Sequence, residues 1–190
     1  MPWDNTFITP LPDESKIQYM NELVTNAEEH GAKVVNKSGG NSVGTLYAPT
    51  VLYPVNENMN VYHVEQFGPV VPIVTFKNLQ EPIDYMIGSD YGQQVSIFST
   101  NPKEIAKMID GFVNLVSRVN INTQSQRGPD VFPFTGRKDS AEGTLSVYDA
   151  LRSFSIRTMV ATKENGINKK IFNEIIEENE SSFLSTKFLF

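Results

Sequence analysis

The chain contains no cysteine. That excludes disulfides, thiolate-ligated zinc, iron–sulfur clusters and any thiol nucleophile carried by these residues. Histidine is nearly as scarce, with only His30 and His63, and neither has a partner at ligand spacing. No resident metal is expected. There is one tryptophan, and no long basic stripe interrupts a composition of 22 acidic against 16 basic residues, a net charge of −6. A nucleic-acid partner, which needs clustered cations along the phosphate backbone, is not expected. No apolar run approaches the roughly 18 residues that span a bilayer. The opening Met1–Asn5 lacks a basic segment followed by an apolar one. No membrane association is expected, and the expected compartment is the cytoplasm.

What is present suffices for a core. The 190 residues are 39% hydrophobic, with 12 Phe and 7 Tyr, enough for one compact domain or slightly more. The charged fraction, 20%, is too low for a disordered chain. Ile17, Met20, Val24 and Ala27 recur at helical spacing with Leu23 beside them, and Gly31 follows as a stop. "AKVV" reads as a short strand, and "NKSGGNSVG" as a hairpin loop. Its glycines are those of a turn; a phosphate cradle would need a following helix, and "TLYAPTVLYPV" reads as extended.

"VVPIVTF" is continuous and β-branched, as expected of a strand buried on both faces. A helix is expected around Leu79–Ile87 and a strand at "GQQVSIFS". "NPKEIAKMIDGF" is the clearest helix: Asn101 can cap it, and Pro102 sits where a missing N–H costs nothing. "NLVSRVNIN" reads as another strand. Strands and helices alternating over such short connections imply parallel pairing in an α/β sheet. Thr123–Gly143 is a long, glycine-rich, aromatic loop of the kind that carries function. A helix at "TLSVYDALRSF", a last strand at "SIRTMVA" and an amphipathic helix at "NKKIFNEIIEENE" complete the chain. The final "SSFLSTKFLF" adds Phe183, Phe188 and Phe190.

Glu65 raises the chemical question. A carboxylate ahead of a buried strand, followed by Gln-Phe-Gly-Pro, is either an ordinary surface charge or a rim acceptor for a diol such as a ribose. The residues alone leave both open.

Three segments together resemble the aldehyde dehydrogenases. "EQFGPVVPI" is similar to their Glu-x-Phe-Gly-Pro-Val signature, and "SDYGQQVSIFS" to their Asn-x-x-x-Gln-Ala-Ser-Ile-Phe strand entry. "RVNINTQSQRGPDVFPFTGRKDSAEGT" resembles their Pro-Phe-x-Gly-x-Lys-x-Ser-Gly segment. The resemblance covers about Pro2 to Thr162, in order. "QRGPDVFPF" and the opening "MPWDNTFITPLPD" resemble the non-phosphorylating, NADP-dependent glyceraldehyde-3-phosphate dehydrogenase branch.

The resemblance implies a three-layer αβα sandwich with a mostly parallel sheet, ending in a strand that oligomerises between subunits. It divides the chain into residues 1–162 and a C-terminal tail, 163–190. It implies that Glu65 holds the nicotinamide ribose hydroxyls of NADP or NAD and that Phe67 packs near the nicotinamide. Phe134 matches an aromatic of the aldehyde funnel. Arg127 borders the substrate tail, where a guanidinium can pair with a phosphate in bidentate fashion, or it is a solvated loop charge. Arg137 and Lys138 are surface charges or structural contacts. Ala141 replaces a family glycine, at a cost if that position needs positive φ.

The family reaction also needs a cysteine thiolate to form a thiohemiacetal, a glutamate to activate the deacylating water, and a Rossmann-type domain. None is recognised here. The chain is therefore expected to be the C-terminal part of a catalytic domain, inactive and without bound cofactor on its own. Its expected partner is the missing N-terminal half, or another copy through the last strand. The alternative is a non-catalytic interaction or oligomerisation module derived from such an enzyme.

Overall fold

A computed structural model describes residues 8–129, 132–144, 146–156 and 158–182. The chain forms two compact units, Met1–Ala150 and Leu151–Phe190. The architecture is α/β, with both parallel and antiparallel strand pairs.

The first unit opens with α1 (Glu14–Glu29). Asp13 caps it by accepting the Lys16 amide at 3.0 Å, and Gly31, at φ 101°, ends it. A left-handed residue is needed at that stop, and glycine adopts it without a Cβ penalty. Met20, Leu23, Val24 and Ala27 are buried at the expected helical spacing. They pack on β1 (Lys33–Val34), β4 (Thr50–Tyr53) and β5 (Val70–Pro72), in sheet order β1-β4-β5. β1 is antiparallel to β4, and β4 is parallel to β5, with Thr50 opposite Val70. Between β1 and β4, β2 (Ser42–Val43) and β3 (Leu46–Tyr47) form an antiparallel hairpin turned by Gly44 at φ 57°. The segment expected as loop thus contributes the first strand of this hairpin. A short helix, α2 (Asn60–His63), which the sequence pattern did not announce, leads toward β5.

The expected strand at Val70–Phe76 is shorter than its composition suggests. Only Val70–Pro72 are in the ladder, and Val71, Ile73, Val74 and Phe76 are about half exposed. β5 is an edge strand with a neighbour on one side only. Val70 alone is fully covered, because it faces the α1 cluster.

The second cluster forms around α3 (Gln80–Gly88), β7 (Gln94–Ile97), α4 (Pro102–Phe112) and β8 (Arg118–Ile121). Asn101 caps α4 by accepting the Lys103 amide at 3.1 Å, and Pro102 opens it, as its sequence predicts. Phe112 is buried with Ile83, Ile97 and Val116. The β7–α4–β8 crossover pairs the strands in parallel, Gln94 opposite Arg118. β6 (Tyr91–Gly92) pairs antiparallel with β9 (Arg137–Lys138). The Tyr85 hydroxyl donates to the Tyr62 carbonyl at 3.1 Å, and the two rings meet edge-on, tying α3 to α2.

α5 (Val147–Ser153) begins at Ser146, whose hydroxyl accepts the Asp149 amide at 3.1 Å. In the second unit, α6 (Gly166–Glu177) is capped by Asn165, and Phe172, Ile175 and Ile176 form its better-covered stripe. The strand expected at "SIRTMVA" is not formed among the described residues. Ile156 is 99% exposed and Met159 87%, and extended chain becomes a strand only where a ladder partner supplies hydrogen bonds. Arg157, Phe183, Phe188, Phe190 and the opening Met1–Phe7 lie outside the described residues. No helix among those described is long and apolar enough to cross a membrane.

Asp13 gives a pH signature. The Ser15 hydroxyl, at 2.6 Å, and then the Lys16 amide hold its carboxyl below the ordinary value. A depressed carboxylate stabilises the fold above its unfolded pKa of about 4, and that support disappears as pH falls through the lower folded value. Acid titration followed by helix circular dichroism is expected to show a smaller acid-side loss in Asp13→Asn than in the parent chain. Identical acid slopes would remove Asp13 from the account of α1.

Candidate functional site

The turn before β5 is built to hold two side chains outward. Lys16, from the first turn of α1, donates its ammonium to the Gln66 carbonyl at 2.5 Å. The Gln66 amide donates to the Val70 carbonyl at 2.9 Å, closing the turn on β5. Gly68 lies directly on α1, where an added Cβ would stand 2.4 Å from the sulfur of fully buried Met20. Only glycine fits without moving that core side chain. Phe67 takes φ 41°, an unfavourable conformation for a residue with a Cβ, and the residue is 79% exposed. Glu65 is exposed, and no group among the described residues hydrogen-bonds its carboxylate. The turn thus commits its backbone inward and presents an open carboxylate and a bare aromatic face. Those are the acceptor pair and the flat apolar surface that a ribose diol and a nicotinamide ring require.

The second feature is the loop after β8. Arg127 lies over the Phe134 ring, 5.1 Å from guanidinium carbon to centroid. The loop is held from beneath by β7 and β8. Arg118 donates through Nη1 to the carbonyls of Gln126 at 2.9 Å and Gly128 at 3.0 Å. Gln94 accepts the Gln126 amide at 3.1 Å, and the Ser96 and Ser125 hydroxyls meet at 3.1 Å. Arg127 is exposed and Phe134 half-buried. A guanidinium steadied on a ring and open to solvent is suited to an anion.

Glu65 and Phe67 share one turn, and Arg127 and Phe134 share one loop. No hydrogen bond or ring contact joins the two pairs among the described residues. Sequence reading missed Lys16 and Gln66 beneath the first pair and Arg118, Asn120 and Gln94 beneath the second. The alternation of polar side chains in "RVNIN" was the available signal, since Arg118 and Asn120 share a strand face.

Arg137 and Lys138 are structural contacts. Arg137 donates to the Val116 carbonyl at 3.1 Å. The Lys138 ammonium donates to the carbonyls of Met86 at 2.6 Å, Ile87 at 3.1 Å and Ser89, collecting the free acceptors at the end of α3. Ala141 is not among the described non-glycine residues with positive φ, which are Phe67, Asn122, Lys138 and Asn179. The alanine carries no left-handed cost. A groove of about 700 Å³ along α1, bordered by Gln18, Asn21, Glu22 and Thr25, touches neither pair.

The α/β fold, shared with the solved structures described below, defines the class of protein. The aldehyde dehydrogenase family model matches residues 1–160, and the chain belongs to that family. Within it, the chain is similar to enzymes named NADP-dependent glyceraldehyde-3-phosphate dehydrogenase. It is 36% identical to that of Streptococcus equinus over 166 residues, 86% of this chain and 32% of the relative. It is 32% identical to that of Pisum sativum over 167 residues, 88% of this chain and 32% of the relative. Among solved structures, it resembles NADP-dependent glyceraldehyde-3-phosphate dehydrogenase from Bacillus halodurans complexed with NADP. The TM-score there is 0.73 and the identity 37%, covering 79% of this chain and 31% of the other. Lactaldehyde dehydrogenase from Escherichia coli gives a TM-score of 0.74 at 29% identity, covering 83% and 33%. The chain spans about a third of the length of the curated relatives it matches.

Proposed function

We propose that these 190 residues act as the C-terminal portion of an NAD(P)-dependent aldehyde dehydrogenase that oxidises glyceraldehyde 3-phosphate to 3-phosphoglycerate. The supporting observation is a division of parts. The chain has a cofactor-type turn and an anion-type loop, yet no cysteine. Glu65 accepts the two ribose hydroxyls, and the Phe67 ring excludes water beside the nicotinamide. The bound nicotinamide supplies the hydride acceptor. Arg127, resting on Phe134, takes the substrate phosphate and turns the aldehyde end away from it. The thiolate, the water-activating glutamate and the Rossmann-type domain come from residues outside this sequence, in the same polypeptide or a second one. The names of the relatives favour NADP.

In this reading the half-exposed Val71, Ile73, Val74 and Phe76 are covered by that other portion, and the chain carrying bare Ile156, Met159 and Val160 adds to a sheet in another subunit. The same exposed segment supports the second reading, an oligomerisation module without catalysis.

The test is complementation. Mixing this chain with the upstream two thirds of a relative is expected to give NADP reduction with glyceraldehyde 3-phosphate, together with a complex heavier than either part by sedimentation. Each part alone is expected to be inactive. Turnover by this chain alone refutes the division of parts; a heavy but inactive complex favours the second reading.

A further inference from the structure

The loop that carries Arg127 owes its shape to another arginine. β8 sets Arg118 and Asn120 on one face, two residues apart, with Gln94 of β7 in register with Arg118. Arg118 Nε donates to Asn120 Oδ1 at 2.9 Å, which orients the guanidinium plane. Its Nη1 then meets three consecutive carbonyls, those of Gln126 at 2.9 Å, Gly128 at 3.0 Å and, less closely, Arg127 at 3.4 Å. Asn120 is 4% exposed and is anchored in turn to Gln94 Oε1 at 3.3 Å and the Val95 carbonyl at 3.2 Å. Gln94 Oε1 also receives the Gln126 amide at 3.1 Å, so the network closes on the loop it supports. No carboxylate forms an ion pair with Arg118 or Arg127 among the described residues. A guanidinium offers five donors in a fixed plane, so it can gather several carbonyls while remaining oriented by a side chain.

We infer that Arg118 is a positioning residue for the phosphate-binding end of the site: it fixes the backbone at Gln126–Gly128 so that Arg127 meets the anion already placed over Phe134. The inference rests on the reading of Arg127 as the phosphate ligand. It concerns preorganisation: a loop ordered before binding loses less freedom when the anion arrives.

The experiment uses the full 190-residue chain labelled with ¹⁵N and titrated with inorganic phosphate. In the parent chain, phosphate is expected to move the Arg127 Nε–H resonance, and Arg127→Ala is expected to abolish phosphate binding at this loop. Arg118→Gln is expected to weaken phosphate about tenfold, equivalent to about 1.4 kcal/mol. It is also expected to lower the heteronuclear NOE at Gln126–Gly128 while the β7 and β8 amides stay in place. Arg118→Lys keeps the charge and part of the donor set, so both readouts are expected to fall between those of parent and Gln variant. That variant carries the test should Arg118→Gln fail to fold. Unchanged phosphate affinity in the Arg118 variants, with phosphate binding abolished in Arg127→Ala, overturns the inference and leaves the Arg127 reading intact. Weakened affinity with an unchanged loop NOE also overturns it, because charge alone would then be the cause. Undiminished phosphate binding in Arg127→Ala overturns both.

Discussion

Replacing Gly92 with alanine is expected to cost about 3 kcal/mol of unfolding free energy, and so to lower the melting temperature by roughly 6–12 °C. Gly92 sits in β6, opposite Arg137 of β9. An added Cβ would lie 2.1 Å from the Leu115 carbonyl oxygen and 3.3 Å from the Arg137 Cβ. The first of these is backbone, and it cannot turn aside as a side-chain tip would. Leu115 is fixed by its own amide, which donates a hydrogen bond to the Phe112 carbonyl at 2.8 Å, just beyond α4. Gly92 is held from the other side, its amide donating to the Ser140 hydroxyl at 2.9 Å. Relief therefore requires moving the α4–β8 connection or breaking the β6–β9 ladder. Gly143→Ala is the matched control, because no atom lies within 4 Å of its added Cβ and its φ is not positive. That variant is expected to stay within about 0.5 kcal/mol of the parent. Urea unfolding of the two variants decides the matter; equal midpoints would show that the β6–β9 seam yields more readily than its geometry implies.

The seam also shows what sequence reading can and cannot reach. Local rules fixed α1 and α4, because the capping residue, the first-turn proline and the apolar stripe all lie within a few residues of one another. The parallel β7–β8 pair followed from the short connection through α4. The Lys138 contact with the end of α3 was invisible, since it joins residues about fifty positions apart and has no periodic signature. The exposure of Val71, Ile73, Val74 and Phe76 was missed for a related reason. A β-branched run marks strand propensity, not which neighbour covers each face. "SIRTMVA" fails in the same way: its composition is that of a strand, and strand formation depends on a partner. At the candidate site, Glu65, Phe67, Arg127 and Phe134 were named through a resemblance, not through periodicity or spacing. Their supports, Lys16, Gln66 and Arg118, emerged only when distant segments were brought together.

Under the proposed function, Arg127→Ala in the assembled enzyme is expected to raise KM for glyceraldehyde 3-phosphate roughly tenfold to a hundredfold while leaving kcat within about threefold. A hydrogen bond to a charged group contributes about 1.5–3 kcal/mol, and a guanidinium–phosphate pair is of that kind. The phosphate lies away from the reacting carbon and carries the same charge throughout the hydride step. Under the proposed function its contact with Arg127 therefore stabilises ground and transition states alike, which is the condition for an effect on KM rather than kcat. Unphosphorylated glyceraldehyde has nothing to lose at this position, and its kinetics are expected to be unchanged. Arg127→Lys retains charge but not the two-pronged geometry, so it is expected to fall between the parent and Arg127→Ala. Phe134→Leu removes the ring beneath the guanidinium, 5.1 Å away, but leaves an apolar wall. A contact of about 0.5–1 kcal/mol predicts a KM about two to five times higher for the phosphorylated aldehyde. Steady-state kinetics with both aldehydes distinguishes the possible roles of this loop. Equal losses on both would make it a structural support for the reaction centre, whereas a loss confined to the phosphorylated aldehyde identifies it as the part of this chain that selects the substrate.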